Sequence, residues 1–363
     1  MKDVRKRYGF QSEGEIATHH NAKGGGRDSV LAGYFMKKRF IAFALVAVML
    51  LGGCSENSQD TPVKDKKETS GIDENKEGTS YHFGFSAINM SNPYYVALSN
   101  GIKDALQEKG SSLEVKDAKL SADLQNQQID EMIENGIDCL FLAPADWEKI
   151  SQSLDKLKEK KIPVVNVDTE VKEIDKVTAY VGSDNKKAGE IIGERLIQRH
   201  KDGGKVLLLE STNVNSVNDR ITGFEQSIIG KGFEIVAREE VTGDINSALE
   251  RTKKALSENA DMTAIVCGND TMALGALVAT QSLGLSGIEI YGIDGSPDIK
   301  KELLKKNSPV VGTCAQTPAK IGRDSANIGL AIMTGDRYEE KTYEDVFFID
   351  AENVDMYGSD GWQ

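Results

Sequence analysis

The chain predicts an α/β protein of two lobes, each built on a parallel sheet with helices on both faces. Three observations carry this. From Tyr81 onward, β-rich apolar runs alternate with amphipathic segments of helical period, and that alternation implies parallel sheets covered on both sides. Some ten strands are many for one compact domain, so two lobes with similar βα units are the economical arrangement. About 283 residues from position 81 onward are enough for two ordinary domains.

Residues 1–35 are polar, rich in glycine and charge, and show no periodic apolar face, so they belong to no fold. Lys37-Lys38-Arg39, the apolar run Phe40 to Leu51 and then Gly52-Gly53-Cys54 follow. A basic n-region, a short apolar core and small residues before the cut describe a secretory signal, and the cysteine at the cut resembles the lipobox of bacterial lipoproteins. Twelve apolar residues fall short of the roughly 20 that span a bilayer. Residues 1–53 are therefore expected to be an extension plus signal peptide, with translation starting at Met1 or Met36. The mature chain then begins at Cys54, lipid-anchored to the cell membrane on its extracytoplasmic side. Ser55 to Ser80 is almost wholly polar, which makes residues 54–80 a tether with a reach of roughly 30 Å.

The expected strands are His82 to Ile88, Leu113 to Lys116, Cys139 to Leu142, Pro163 to Val167, Thr178 to Val181, Lys205 to Leu209, Glu234 to Ala237, Ala264 to Cys267, Glu289 to Gly292, Val310 to Thr313 and Asp345 to Ile349. Most are followed by a helical pattern, such as Tyr94 to Glu108, Lys186 to Gln198, Ser247 to Ser257 or Thr271 to Leu283.

Composition excludes several classes of function. The chain holds 44 basic and 57 acidic residues, and the 9 basic and 4 acidic ones of positions 1–53 leave 35 and 53, a net charge of −18. Such a surface repels nucleic acid and anionic lipid. Cys139, Cys267 and Cys314 sit in or beside apolar runs, with no CxxC spacing and only four histidines in the chain. They are expected to be small core residues rather than a disulfide framework or zinc site. No dinucleotide fingerprint, P-loop, HExxH or GxSxG follows any strand, so no cofactor, metal or catalytic residue is assigned and the protein is not expected to be an enzyme.

In doubly wound sheets, ligands bind beyond the carboxyl ends of the strands. Those positions hold Asn92-Pro93-Tyr94-Tyr95, Asp168-Thr169, Asn269-Asp270 and Asp294-Gly295. Amides and carboxylates exchange hydrogen bonds with hydroxyls, and aromatic faces stack on the CH face of a sugar ring. Asn92 before Pro93 serves equally well as a helix cap, and Asn269 could cap the helix near Thr271. Asp294 has no such local task, because Ser296-Pro297 already caps the next helix. Tyr94 and Tyr95 are adjacent on a helix and point in different directions, so at least one should leave the core. Arg220 lies near the first turn of a helix that Ser216 could cap, where the macrodipole disfavours a cation.

These residues resemble the ribose-binding protein and its relatives, the sugar-binding proteins of ABC transporters in the periplasmic-binding-protein superfamily. The likeness spans Tyr81 to Asp350 through Asn92-Pro93-Tyr94-Tyr95, the run Ile162 to Asp168, Tyr180 to Asn185, Arg220-Ile221-Thr222-Gly223-Phe224, the run Asn269 to Gly275, Gly292 to Pro297 and Thr313-Cys314-Ala315-Gln316. It implies two Rossmann-like lobes, residues 81–183 with 317–343 and residues 184–316 with 344–363, joined by three crossovers and closing on a monosaccharide. The family's sugar-hydroxyl partners fall on Asn92, Asp168, Arg220, Asn269, Asp294 and Gln316, and its stacking aromatics on Tyr94 and Tyr95. Departures are Thr169 for an arginine, Ala143 for an asparagine, and Gly243 and Ile293 for aromatics, which would leave room for a larger ligand or lower affinity.

The resemblance thus implies a monomeric, extracytoplasmic solute-binding lipoprotein that captures a sugar or polyol and hands it to an ABC permease. The alternatives are a sensing partner of a membrane histidine kinase or chemoreceptor, or a carrier of a non-sugar ligand such as autoinducer-2.

Overall fold

The computed structural model describes residues 80–363; Cys54, the signal peptide and the expected tether lie outside the described residues. The first sheet is formed by β1 (His82–Ala87), β2 (Ser112–Asp117), β3 (Cys139–Leu142), β4 (Val164–Asp168), β5 (Ala179–Ser183) and β11 (Lys341–Glu344). Their order is β11-β5-β4-β3-β1-β2, with every pairing parallel. The second sheet consists of β6 (Gly204–Glu210), β7 (Phe233–Glu240), β8 (Ala264–Cys267), β9 (Glu289–Asp294), β10 (Val310–Ala315) and β12 (Phe347–Ile349), in the order β12-β10-β9-β8-β6-β7. Only β12 runs antiparallel. Five strands of each sheet repeat one arrangement, so the two lobes present equivalent carboxyl-terminal strand ends.

Between the strands run helices α1 (Pro93–Gln107), α2 (Ala122–Glu134), α3 (Ser151–Glu159), α4 (Asn185–Arg199), α5 (Asn215–Ile228), α6 (Ile245–Glu258), α7 (Asp270–Ser282), α8 (Pro297–Leu303), α9 (Pro318–Thr334) and α10 (Val354–Tyr357). The chain passes between the sheets three times: from β5 into α4, from β10 into α9 through Gln316-Thr317, and from β11 to β12 through Asp345-Val346. The helix that follows each of the first two passages packs closely on a helix of its lobe. A Cβ on Gly189 of α4 would lie 1.8 Å from the Arg220 carbonyl of α5, and one on Gly322 of α9 would lie 2.1 Å from the Leu98 carbonyl of α1. Only glycine admits backbone contact this close.

Each central strand is buried on both faces, as β3, β4, β5 and β8 show without exception. Phe83 and Phe141 stack 5.4 Å apart in the first lobe's core, while Phe224, Tyr291 and Val206 belong to that of the second. Cys139, Cys267 and Cys314 are free and buried in β3, β8 and β10.

Two expectations need correction. The last predicted strand, Asp345 to Ile349, is shorter, Phe347–Ile349 in the second sheet, and a further strand that the sequence did not predict, Lys341–Glu344, joins the first sheet. Lys341-Thr342-Tyr343-Glu344 forms a solvent-facing sheet edge and lacks the apolar pattern that identifies a strand in sequence. Ser216 does not cap α5, because Val214 holds that position without a side-chain cap and Ser216 lies buried inside the helix.

Candidate functional site

The carboxyl ends of the strands in both lobes face one cleft. Asn92 caps α1 by accepting from the Tyr94 amide at 3.0 Å, and Asn269 caps α7 by accepting from the Met272 amide at 2.8 Å. Both capping roles read from sequence are real, yet each uses only the amide oxygen. Both asparagines also line a cavity of about 40 Å³ between the lobes, together with Tyr95, Val214, Val217 and Gly243.

Against the expectation that at least one would leave the core, Tyr94 and Tyr95 both pack into the first lobe's core, because each ring is buried while its hydroxyl is directed at a polar group. The Tyr95 hydroxyl donates to Asp168 Oδ2 at 2.8 Å, and the Tyr94 hydroxyl reaches Gln316 Oε1 at 3.5 Å. Gln316 Nε2 donates to Asp294 Oδ1 at 2.7 Å. That same oxygen lies 3.6 Å from Arg220 Nη1, while Arg220 Nε donates to Asn185 Oδ1 at 2.8 Å and Nη1 to the Gly268 carbonyl at 2.9 Å. Tyr94, Gln316, Asp294 and Arg220 thus form one buried polar chain, the Tyr95–Asp168 pair lies buried beside it, and Asn92 and Asn269 border them.

Burial dominates the electrostatics. It pushes the Asp294 carboxyl well above the usual carboxylate range; Arg220 opposes the rise, and Asp270 and Asp168 add to it. Asp168 is raised for the same first reason, with Arg220 and both tyrosine hydroxyls opposing. Burial works against the Arg220 guanidinium, but Asp294 and Asp168 raise it overall. Asp168 Oδ1 is buried with no hydrogen-bond partner, and a buried acceptor left unpaired costs about 1–3 kcal/mol. The site therefore offers an acceptor to any ligand that brings an O–H or N–H. Among the described residues, no group of three His, Cys, Asp or Glu could hold a metal ion.

The four departures are placed as follows. Ala143 and Ile293 are buried in the two lobe cores. Thr169 is buried and accepts from the Ser216 amide of the opposite lobe at 2.9 Å, so it closes space where the sequence suggested room. Only Gly243 lines the cavity. Two further contacts join the lobes: Asn213 Nδ2 donates to the Ala145 carbonyl at 2.7 Å, and the Trp147 amide donates to the Asn213 carbonyl at 3.0 Å.

Several residues of the site were assigned no role from the sequence. Asp270 accepts from the Ser296 amide at 2.6 Å and from the Thr313 hydroxyl at 2.7 Å, which fixes the turn after Asp294. Gln125 is buried and holds the loop after β3 by donating to the Ala143 carbonyl and accepting from the Ala145 amide. Asn185 orients Arg220. Asp270 and Asn185 adjoin helix starts, where their type alone suggests capping.

A family model described as a periplasmic binding protein domain matches residues 83–337. The ribose import binding protein of Bacillus subtilis (strain 168) is 28% identical over 306 residues, covering 84% of this chain and 96% of its own. That of Salmonella typhimurium is 26% identical over 253 residues, covering 69% and 84%. An ABC transporter solute binding protein from Mycobacterium smegmatis, solved with bound glycerol, superposes with a TM-score of 0.74 at 24% identity, covering 78% of this chain and 100% of that one.

Proposed function

The chain belongs to the periplasmic binding protein domain family, and from that premise we propose that it captures a monosaccharide or related polyol between its lobes and delivers it to an ABC permease. One observation carries the reading: Asp168, Arg220, Asp294 and Gln316 converge from both lobes and the crossover, buried together, with Asp168 Oδ1 unpartnered. Paired carboxylates, an amide and a guanidinium match a ligand dense in hydroxyls that both donate and accept. The tyrosine rings supply the apolar wall that a sugar's CH face requires.

A cavity of about 40 Å³ is far below the roughly 300 Å³ at which ligand pockets begin. Entry therefore requires the lobes to part about the three crossovers, and the ligand shifts the equilibrium by binding both lobes at once. The permease then recognises the closed form. The protein acts by binding, without turnover, a reading supported by its similarity to proteins named as import binding proteins. Cys54, at the end of the signal-like segment, holds the mature protein to the outer face of the cell membrane through lipid.

Calorimetric titration of the purified protein with pentoses, hexoses and polyols tests this. At least one should bind with a dissociation constant in the micromolar range or lower, about −8 kcal/mol, and that binding should be lost in Asp168→Ala and Asp294→Ala. Absence of binding across the panel overturns the proposal.

A further inference from the structure

Beyond α10, residues 358–363 leave the second lobe and return to the cleft. The segment is first fixed to the second lobe. The Tyr357 ring stacks on Phe347 with centroids 4.9 Å apart. Lys300 of α8 is fully buried, and its ammonium donates to the Tyr357 carbonyl at 3.4 Å, the Gly361 carbonyl at 2.7 Å and Gln363 Oε1 at 3.3 Å. An ammonium has three hydrogens and no other use for them here. Lys301 adds an ion pair to Asp360 at 3.5 Å.

The next two residues touch the binding network itself. Trp362 packs on the first lobe's core and meets Tyr94 edge to face, with centroids 5.9 Å apart at 83°. Gln363 Nε2 donates to the Asp294 carbonyl at 3.1 Å and to the Gln316 carbonyl. The neighbouring turn is shaped for this amide: Gly295 has φ +76°, and a Cβ there would lie 2.5 Å from Gln363 Nε2.

We infer that residues 358–363 form a strap across the lobes, in which Trp362 positions Tyr94 and Gln363 positions Asp294 and Gln316 for the ligand. The strap adds a non-covalent connection to the three chain crossovers and to the cross-lobe hydrogen bonds of Thr169 and Asn213. Its two contacts act on residues that already bond one another, since Tyr94 reaches Gln316 and Gln316 holds Asp294. Loss of the indole frees the Tyr94 ring on one side, and loss of the amide leaves two buried carbonyls at the hinge without that donor. The ligand-binding part of this inference rests on the sugar-capture proposal; the bridging part does not.

The test uses the full chain as wild type, Trp362→Ala, Trp362→Phe and Gln363→Ala. Small-angle scattering without sugar should show a larger radius of gyration for Trp362→Ala and Gln363→Ala than for wild type. Calorimetric titration with D-ribose, D-allose and myo-inositol should show both variants binding at least fivefold more weakly, with Trp362→Phe within twofold of wild type. Unchanged scattering and affinity in both variants overturn the strap. Should wild type bind none of the three while the scattering still differs, the bridging strap stands and the sugar proposal loses its support. Gln363→Ala leaves the indole packing in place and decides the matter if Trp362→Ala does not fold.

Discussion

Asp168 and Asp294 occupy the same place in the two lobes, each the last residue of its strand, and both hold a positive φ, 66° and 142°. Non-glycine residues at such angles cost on the order of 1–3 kcal/mol, which the surrounding structure must offset. Here the strain turns two carboxylates toward one guanidinium and brings the turns after β4 and β9 into the cleft. Strain at paired positions that also carry the buried charges is what a pre-organised binding site requires.

The strain separates two substitutions at Asp168. Glycine adopts φ 66° freely, whereas alanine retains the penalty. Asp168→Gly should therefore unfold at a higher temperature than Asp168→Ala, by about 1 kcal/mol in stability, while neither binds sugar. Equal melting temperatures would show that the strain is not stored at this residue.

Asp294 carries a pH signature. Its folded value is raised, first by burial and further by Asp270 and Asp168, with Arg220 opposing. Between the ordinary carboxylate value near 4 and that raised value, the folded state keeps a proton that the unfolded chain releases. The contribution to stability is then complete below about pH 4 and is lost as pH rises. Asp294→Asn carries no such proton. The melting temperature of wild type minus that of Asp294→Asn should fall steadily from pH 4 to pH 7, and a constant difference would contradict the assignment.

The central strands and the site were legible in sequence for different reasons. Runs such as Cys139–Leu142 and Ala264–Cys267 are wholly apolar because both sheet faces are covered, and the rule that ligands lie beyond strand ends then selects Asp168, Asn269 and Asp294. The edge strand Lys341–Glu344 escaped because Lys341 and Tyr343 face solvent, Thr342 and Glu344 are only partly buried, and its stability comes from pairing with β5. Ser216 misled because its type suits a cap, whereas its amide is taken by Thr169 across the cleft. Trp362 and Gln363 gave no signal, since their partners Tyr94, Asp294 and Gln316 are distant in the chain and only folding brings them together.

The proposed anchor depends on one thiol. Replacing Cys54 by Ser removes the only atom to which lipid can be attached at the expected cut, while position 54 lies well before the first described strand. Fractionation of expressing cells should show Cys54→Ser displaced from the membrane fraction, with sugar affinity within twofold of wild type. Undiminished membrane attachment would exclude Cys54 as the anchor.

On the proposed hinge opening, the hydrogen bond between Thr169 and Ser216, which joins the two lobes, is made only in the closed form. Ser216 lies in the first turn of α5, where backbone amides have no partner within the helix, and Thr169 Oγ1 supplies an acceptor from the opposite lobe. In the open form, water satisfies the amide. In the closed form of Thr169→Val, the methyl of nearly equal size covers the amide without accepting from it, which costs about 1–3 kcal/mol. Because that cost falls on the closed state alone, it weakens ligand binding by the same amount, roughly five- to a hundredfold, and leaves the unfolding of the open, sugar-free protein nearly unchanged. Stopped-flow release of bound sugar should be faster in Thr169→Val, with the association rate altered less. If release and affinity match wild type, closure does not depend on this bond, and the neighbouring pair, in which Asn213 Nδ2 donates to the Ala145 carbonyl and the Trp147 amide donates to the Asn213 carbonyl, becomes the contact to disrupt instead.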